Sequence, residues 1–311
     1  MKSHQALVIG GSGFLGSHLC EVLLEAGHRV TVISPDGVPL TNLDAVKDRL
    51  RIVHATLDSL PATDHAWDEV DTVYHLACTS RPKSSNDDPA RDVAENLQTT
   101  IRILDRCVRA KVRRVIYSSS GGTVYGNPRQ VPIPEAHATL PICSYGIHKL
   151  AIEHYLHLYW VVHGLDYRVA RISNAYGERQ AVRGDQGLVA AVIGQLLAQQ
   201  PVTIWGDGSA VRDYLHARDI ADALFAMSQA GEGERTFNVG SGCGLTVLQV
   251  VSAVEQALGR TAEIRWLPSR SLDVPSNVLD IGRIRSDLGW TPRIQLTEGI
   301  ARTVQWASQH A

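Results

Sequence analysis

The sequence lacks any run of about eighteen uninterrupted apolar residues, the length needed to cross a bilayer, so no membrane span is expected. Its start does not read as a secretory leader, because Lys2 is followed by polar Ser3, His4 and Gln5 and then by only a short apolar run. It also lacks an excess of charge. The net charge is −2 and charged residues make up 20% of the 311, which gives no electrostatic case for nucleic acid. Cysteine pairing is missing as well: Cys20, Cys78, Cys107, Cys143 and Cys243 are scattered, odd in number and never spaced as C-x-x-C. Reduced thiols in a cytoplasm fit that pattern better than a disulfide frame. His154 and His157 are three apart without a third ligand in view, so no metal site is expected. Aromatic residues are few, at 6%, and Trp205, Trp266, Trp290 and Trp306 are expected to pack the C-terminal part.

What is present begins near the N-terminus. Ala6–Ile9 reads as a short buried strand, and Gly10, Gly13 and Gly16 follow it at once. Phe14 and Leu15 lie inside this turn, and helical periodicity continues to Ala26 before Gly27. Glycines on a strand-to-helix turn permit a tight bend, a close approach of backbone to a pyrophosphate, and packing of helix on strand. The helix N-terminus adds free N–H groups and partial positive charge for phosphates. A dinucleotide is therefore the expected cofactor. The second strand, Arg29–Ile33, ends at Ser34, where an acid usually meets the adenosine ribose; the nearest acid is Asp36. No arginine lies between Ser34 and Val46 to pair with a 2′-phosphate, which favours NAD over NADP. Asp36 can equally be a turn residue of Pro35-Asp36-Gly37.

Tyr145 and Lys149 are four apart and share a face on a helix. An ammonium beside a phenol, together with a cationic nicotinamide ring, favours phenolate and makes a general base for a sugar or alcohol hydroxyl. His148 lies between them but is expected to point elsewhere. Cys78 is expected to be a small residue near the cofactor, without a partnered base to make it a nucleophile.

Strand-like runs at 51–53, 72–76, 114–117 and 167–172 alternate with helical stretches at 90–109 and 145–162. That alternation argues an α/β fold, a doubly wound parallel sheet of Rossmann type with a smaller mixed α/β C-terminal lobe. Leu97, Ile101, Leu104 and Val108 make one apolar stripe, and Ile152, Leu156 and Tyr159 another. Past about residue 175 strands shorten and glycine pairs punctuate the chain. The expected domains are a dinucleotide-binding domain over 1–174 and a substrate lobe over 175–311, with an approximate boundary across which the chain can pass more than once. Thr246 is expected to cap a helix that ends before Gly259.

The ordered set of markers is Gly10–Gly16, the strand end Val73–Ala77, Asn96, Ser118–Gly126, Tyr145 with Lys149, and Arg171–Gly177. Gly206–Gly208, Arg212–Tyr214, Asn238–Gly240, and Arg270 with Asp273–Pro275 complete it. With these, the chain resembles the extended short-chain dehydrogenase/reductases. Within them it resembles the nucleotide-sugar epimerases, most of all those of the UDP-glucose 4-epimerase type. The resemblance implies NAD-dependent epimerisation of a UDP-hexose at C4 through a transient 4-keto sugar, in a homodimer formed by the helices that hold Leu97 and Tyr145. It implies cofactor contacts from Leu76, Ala77 and Asn96, and ribose contacts from Lys149. It implies substrate contacts from Asn174, Arg212, Arg270, Asp273 and Asn277. The bland alternative for Arg212 is an ion pair with Asp213 or Asp219, and for Arg270 one with Asp273.

The chain departs from the family at the hydroxyl expected four residues before Tyr125, where Gly121 stands. Ser120 and Thr123 are the candidate replacements. Sugar dehydratases of this superfamily place an acidic pair after that hydroxyl, and decarboxylating relatives keep a glutamate; no acid lies between Ser118 and Gly126. The remaining alternatives are a reductase that releases its cofactor and an NAD-binding protein without catalysis.

Overall fold

The computed structural model describes residues 4–182, 187–269 and 274–310. Its strands, in chain order, are β1 (Gln5–Ile9), β2 (Arg29–Ser34), β3 (Leu50–His54), β4 (Thr72–His75), β5 (Arg114–Ser120), β6 (Asp166–Ile172) and β7 (Asn174–Tyr176). They continue with β8 (Val202–Trp205), β9 (Val211–His216), β10 (Thr236–Val239), β11 (Gly244–Thr246), β12 (Ile264–Leu267) and β13 (Ser276–Asn277). The main sheet has seven strands in the order β10-β6-β5-β4-β1-β2-β3. The pairs β1–β2, β1–β4, β2–β3 and β4–β5 are all parallel. The order reverses between β1 and β4, the place where a doubly wound sheet opens a crevice for a ligand. Strand β1 is buried along its whole length, as a central strand covered on both faces must be.

Helix α1 (Phe14–Glu25) ends where the alternation of the sequence says it should. Gly27 has φ +80°, and the His28 N–H donates back to the Leu23 carbonyl at 3.0 Å. The stretch 90–109, expected as one helix, is broken into three parts. They are α2 (Pro89–Asp92), a π-helical turn (Val93–Gln98) and α3 (Thr99–Arg109). At this turn the Asn96 side chain is drawn to the Thr79 N–H in the loop after β4, and the Thr100 hydroxyl donates to the Asn96 carbonyl at 2.6 Å. Such turns favour functional sites. Helix α4 (Ser144–His163) runs as expected and stops at left-handed Gly164. Ile152, Leu156 and Tyr159 face the core formed by β1, β4, β5 and β6, and Leu104 joins them from α3. Ile147, Leu158, Val161 and Val162, by contrast, lie exposed on α4.

The chain forms two compact units, and they interleave. One comprises 1–126, 138–171 and 221–237; the other comprises 127–137, 172–220 and 238–311. The remaining helices are α5 (Leu188–Leu197), α6 (Ala217–Gln229), α7 (Val247–Leu258), α8 (Gly282–Leu288) and α9 (Leu296–His310), and in the second unit α5, α7 and α9 bury Val192, Ile193, Val250, Val254 and Ile300 in a core of their own. Thr246 caps α7 with a reciprocal bond to Gln249. Trp290 is buried, but Trp205 and Trp266 are exposed, against expectation. Trp205 ends β8 on the side opposite buried Val202 and Ile204, whereas Trp266 pairs with Ile204 and lies on β12, a strand with no buried residue.

Candidate active site

The glycine turn after β1 is held against the chain that leaves β4. The N–H groups of Leu76 and Ala77 both donate to the Ile9 carbonyl at 3.0 Å. Gly10 has φ +88°, and a Cβ there would sit 2.9 Å from the Ala77 nitrogen. A Cβ on Gly16 would overlap the Gly10 carbonyl. Gly13 opens α1 without a side-chain cap, and no acid lies in the first turn. The first-turn N–H groups of Phe14, Leu15 and Gly16 are thus left for an anion, and the residues present fit a dinucleotide pyrophosphate. At the end of β2, Ser34 is fully buried and its hydroxyl bonds that of Ser12 at 2.9 Å. Asp36 lies on the surface, 3.4 Å from His54. Asn96 is buried and accepts from the Thr79 N–H at 2.9 Å, which ties the π-helical turn to the loop after β4.

Side chains from a neighbouring loop fix the start of α4. The Asn86 carboxamide oxygen accepts from the Ser144 N–H, and the Ser85 hydroxyl from the Tyr145 N–H, both at 2.9 Å. Lys149 is buried one turn on. Its Nζ donates to the Ser118 carbonyl at 2.8 Å and lies 5.4 Å from the centre of the Tyr145 ring. Burial holds the Lys149 ammonium below its ordinary pKa, although Cys78, Glu153 and Asp92 oppose this. Loss of solvent, with Cys78, Cys143 and Asp92 nearby, pushes the Tyr145 phenol up rather than down. The protein groups alone do not acidify it as the sequence led us to expect. His75, just beneath, is kept neutral by burial and by Lys149, with a pKa pushed down to about 3.

The loop after β5 supplies the hydroxyls. Ser118 and Ser119 are tied down, the first to the His75 carbonyl and the second to Glu153. Ser120 is half-buried at the strand end. The Thr123 Oγ1 is shielded from solvent and has no hydrogen-bond partner among the described residues. Thr123 lies against α4 next to Tyr145, since a Cβ on Gly146 would come within 3.2 Å of the Thr123 Cβ. Beneath this loop, Arg171 bonds Glu153 at 2.6 Å and the Tyr125 hydroxyl at 3.0 Å, in a buried network joining β5, α4 and β6.

Three substrate candidates share one small sheet in the second unit. Arg212 on β9 is the direct partner of Asn277 on β13, and Asn174 on β7 pairs with Tyr214. The Asn174 amide donates to the Asp213 carbonyl at 3.0 Å. Arg212 is half-buried, with Nη1 2.8 Å from the Val211 carbonyl. Asp213 points to the other face, where its carboxylate accepts from the Ser241, Gly242 and Leu279 N–H groups. Asp219 accepts from the Arg293 and Ile294 N–H groups at 3.0 Å. Arg270 and Asp273 lie outside the described residues.

Sequence reasoning missed one cluster. His148 does not point away: it is buried, stacks edge-on to the Tyr145 ring at 5.2 Å, and bonds Asp92 at 2.8 Å. It also reaches Cys78, so that thiol does have a partnered base. No spacing links positions 78, 92 and 148, which lie on three separate elements. Among the described residues, no group of three His, Cys, Asp or Glu side chains is placed to hold a metal ion.

The comparisons with known proteins agree with this geometry. Residues 6–240 match the model of the NAD dependent epimerase/dehydratase family. The chain is 36% identical to a UDP-glucose 4-epimerase of Mycolicibacterium smegmatis over 97% of its length and 98% of the relative's. It is similar to the UDP-glucose 4-epimerase of Thermotoga maritima solved with UDP-glucose, with a TM-score of 0.92 at 32% identity, covering 98% of this chain and 99% of that one. The Thermus thermophilus UDP-glucose 4-epimerase complex with NAD gives a TM-score of 0.91 at 32% identity, covering 99% and 100%. The matched family model, the parallel sheet and the glycine turn give one answer: the chain belongs to the NAD dependent epimerase/dehydratase family, within the extended short-chain dehydrogenase/reductases, and NAD is its cofactor.

Proposed function

We propose that this chain interconverts C4 epimers of a nucleotide sugar, a UDP-hexose, through a 4-keto sugar. The observation that carries the reading is Tyr145 beside a buried Lys149 at the foot of a loop whose Thr123 hydroxyl has no partner among the described residues. When bound, NAD supplies a hydride acceptor and a positive charge beside the phenol. Tyr145 moves a proton to and from the oxygen on C4. Lys149 is anchored by the Ser118 carbonyl, so its charge stays at a fixed distance from that phenol. Thr123 and Ser120 orient the same oxygen. The keto sugar turns over and is reduced on its other face. Arg212, Asn174 and Asn277 would meet the nucleoside diphosphate and the sugar, and Arg270 and Asp273 would complete that set. Arginine suits adjacent phosphates because its donors form a fork.

The absence of a carboxylate between Ser118 and Gly126 disfavours elimination across C5 and C6, so epimerisation is preferred over dehydration. The five free thiols support a cytoplasmic setting, and no described helix is long and apolar enough to cross a membrane. The exposed apolar residues of α4 support pairing with a second copy. Incubation with UDP-glucose, UDP-glucuronate and their N-acetylated relatives tests the activity. A C4-epimerised product from one of them is expected, and none from any would refute it. Sedimentation at micromolar concentration should show a dimer.

A further inference from the structure

The chain leaving β4 carries a reactive group that epimerisation does not use. Cys78 is half-buried there, with its Sγ 3.7 Å from Nε2 of His148. Nδ1 of the same ring is 2.8 Å from Oδ2 of Asp92. That carboxylate is buried and held in place by the Ser144 hydroxyl at 2.7 Å and the Asn96 amide at 3.1 Å. A carboxylate that accepts from Nδ1–H selects the tautomer and leaves Nε2 bare toward the sulfur. Asp92 lies behind the imidazole, so the three groups stand in series and do not converge as metal ligands would. Nucleophile, base and orienting acid in series is the arrangement that activates a thiol.

We propose that Cys78, His148 and Asp92 form an activated-thiol site that takes small hydroperoxides at sulfur. Nε2 of His148 removes the thiol proton. The thiolate attacks one peroxide oxygen; an S–O bond forms and the O–O bond breaks. The sulfur is oxidised to a sulfenic acid and the peroxide is reduced. The departing oxygen takes the proton from His148 and leaves as water or an alcohol. A half-buried sulfur admits only a small reagent, and the stored proton suits a leaving group that departs as hydroxide or alkoxide. The Ser80 hydroxyl, 3.7 Å from the sulfur, offers a further polar contact.

The surrounding charges favour this chemistry. Burial opposes the thiolate, but the Lys149 ammonium and the hydrogen bond from His148 outweigh it and bring Cys78 down to about 7. The other titratable groups whose charge acts on the sulfur are Tyr145 on α4 and Tyr117 on β5, while Asp92 on α2 faces His148. Thiolate therefore accumulates as the pH rises through about 7.

The test uses the full chain without added nucleotide. Iodoacetamide labelling from pH 5.5 to 9, read by peptide mass spectrometry at Cys78 and at exposed Cys243, gives each thiol its own midpoint. The Cys78 midpoint is expected near 7, and His148→Gln should raise it by at least about one unit, which lowers labelling at pH 6 about tenfold. Hydrogen peroxide followed by dimedone should tag Cys78 ahead of Cys243. If His148→Gln does not fold, the wild-type midpoint and the dimedone order decide alone. A Cys78 midpoint above about 8.5, the free-thiol value, or a sulfenic acid found at Cys243 and not at Cys78, overturns the proposal.

Discussion

Two buried aspartates, one in each unit, show how the same side chain serves different ends. Asp213 gives its carboxylate chiefly to backbone: the N–H groups of Ser241, Gly242 and Leu279 all point at it, joined by the Ser241 hydroxyl. Burial still holds its pKa above the ordinary value. Gly240 completes the arrangement, because a Cβ there would overlap the carboxylate. Asp92 instead bonds side chains, namely Ser144, Asn96 and the imidazole of His148. Burial opposes its charge, but the bonds from Ser80, His148 and Ser144 win and hold it below the usual range. A carboxylate surrounded by backbone donors fixes a loop. A carboxylate facing a titratable ring, one turn from Tyr145, takes part in chemistry.

The contrast can be broken most sharply at Tyr145. Tyr145→Phe should lower kcat about 100- to 10,000-fold while leaving the thermal midpoint unchanged. Epimerisation assays beside thermal melts check both parts. In the other unit the outcome should reverse. Asp213→Ala removes the acceptor of the Ser241, Gly242 and Leu279 N–H groups and of the Ser241 hydroxyl, and should destabilise the fold by about 3 kcal/mol. Denaturant titration reads that loss, and kcat per folded molecule should change little.

Thr123→Val offers a smaller, sharper comparison. If the unpartnered hydroxyl serves the substrate, kcat falls about tenfold with the fold intact. A raised melting temperature with full kcat would instead hand the role to Ser120. The smallest effect is in pH dependence. Asp92 is depressed in the folded state, so its contribution to stability is present above the unfolded carboxylate value and is lost as pH falls through the folded one. Asp92→Asn should therefore flatten the acid limb of the unfolding curve, measured by circular dichroism.

Much of the site was legible because its parts obey local rules. Gly10, Gly13 and Gly16 are needed where backbone meets backbone, and a four-residue step puts Tyr145 and Lys149 together on any helix. The break at Val93–Gln98 was not legible, since it depends on Asn96 reaching Thr79, seventeen residues away. A chain crossing between the lobes was allowed for, but the segments that cross, 127–137 and 221–237, carry no composition shift that marks them.

The sequence by itself determined the parallel sheet, the dinucleotide turn and the Tyr–Lys pair, because each rests on spacing within one element or across one turn. Only the tertiary structure decided that His148 faces Asp92 and Cys78, that Ser34 is bound by Ser12, and that the surrounding protein raises the Tyr145 pKa. Those outcomes follow from burial and from contacts between distant elements, and neither quantity exists until the chain has folded.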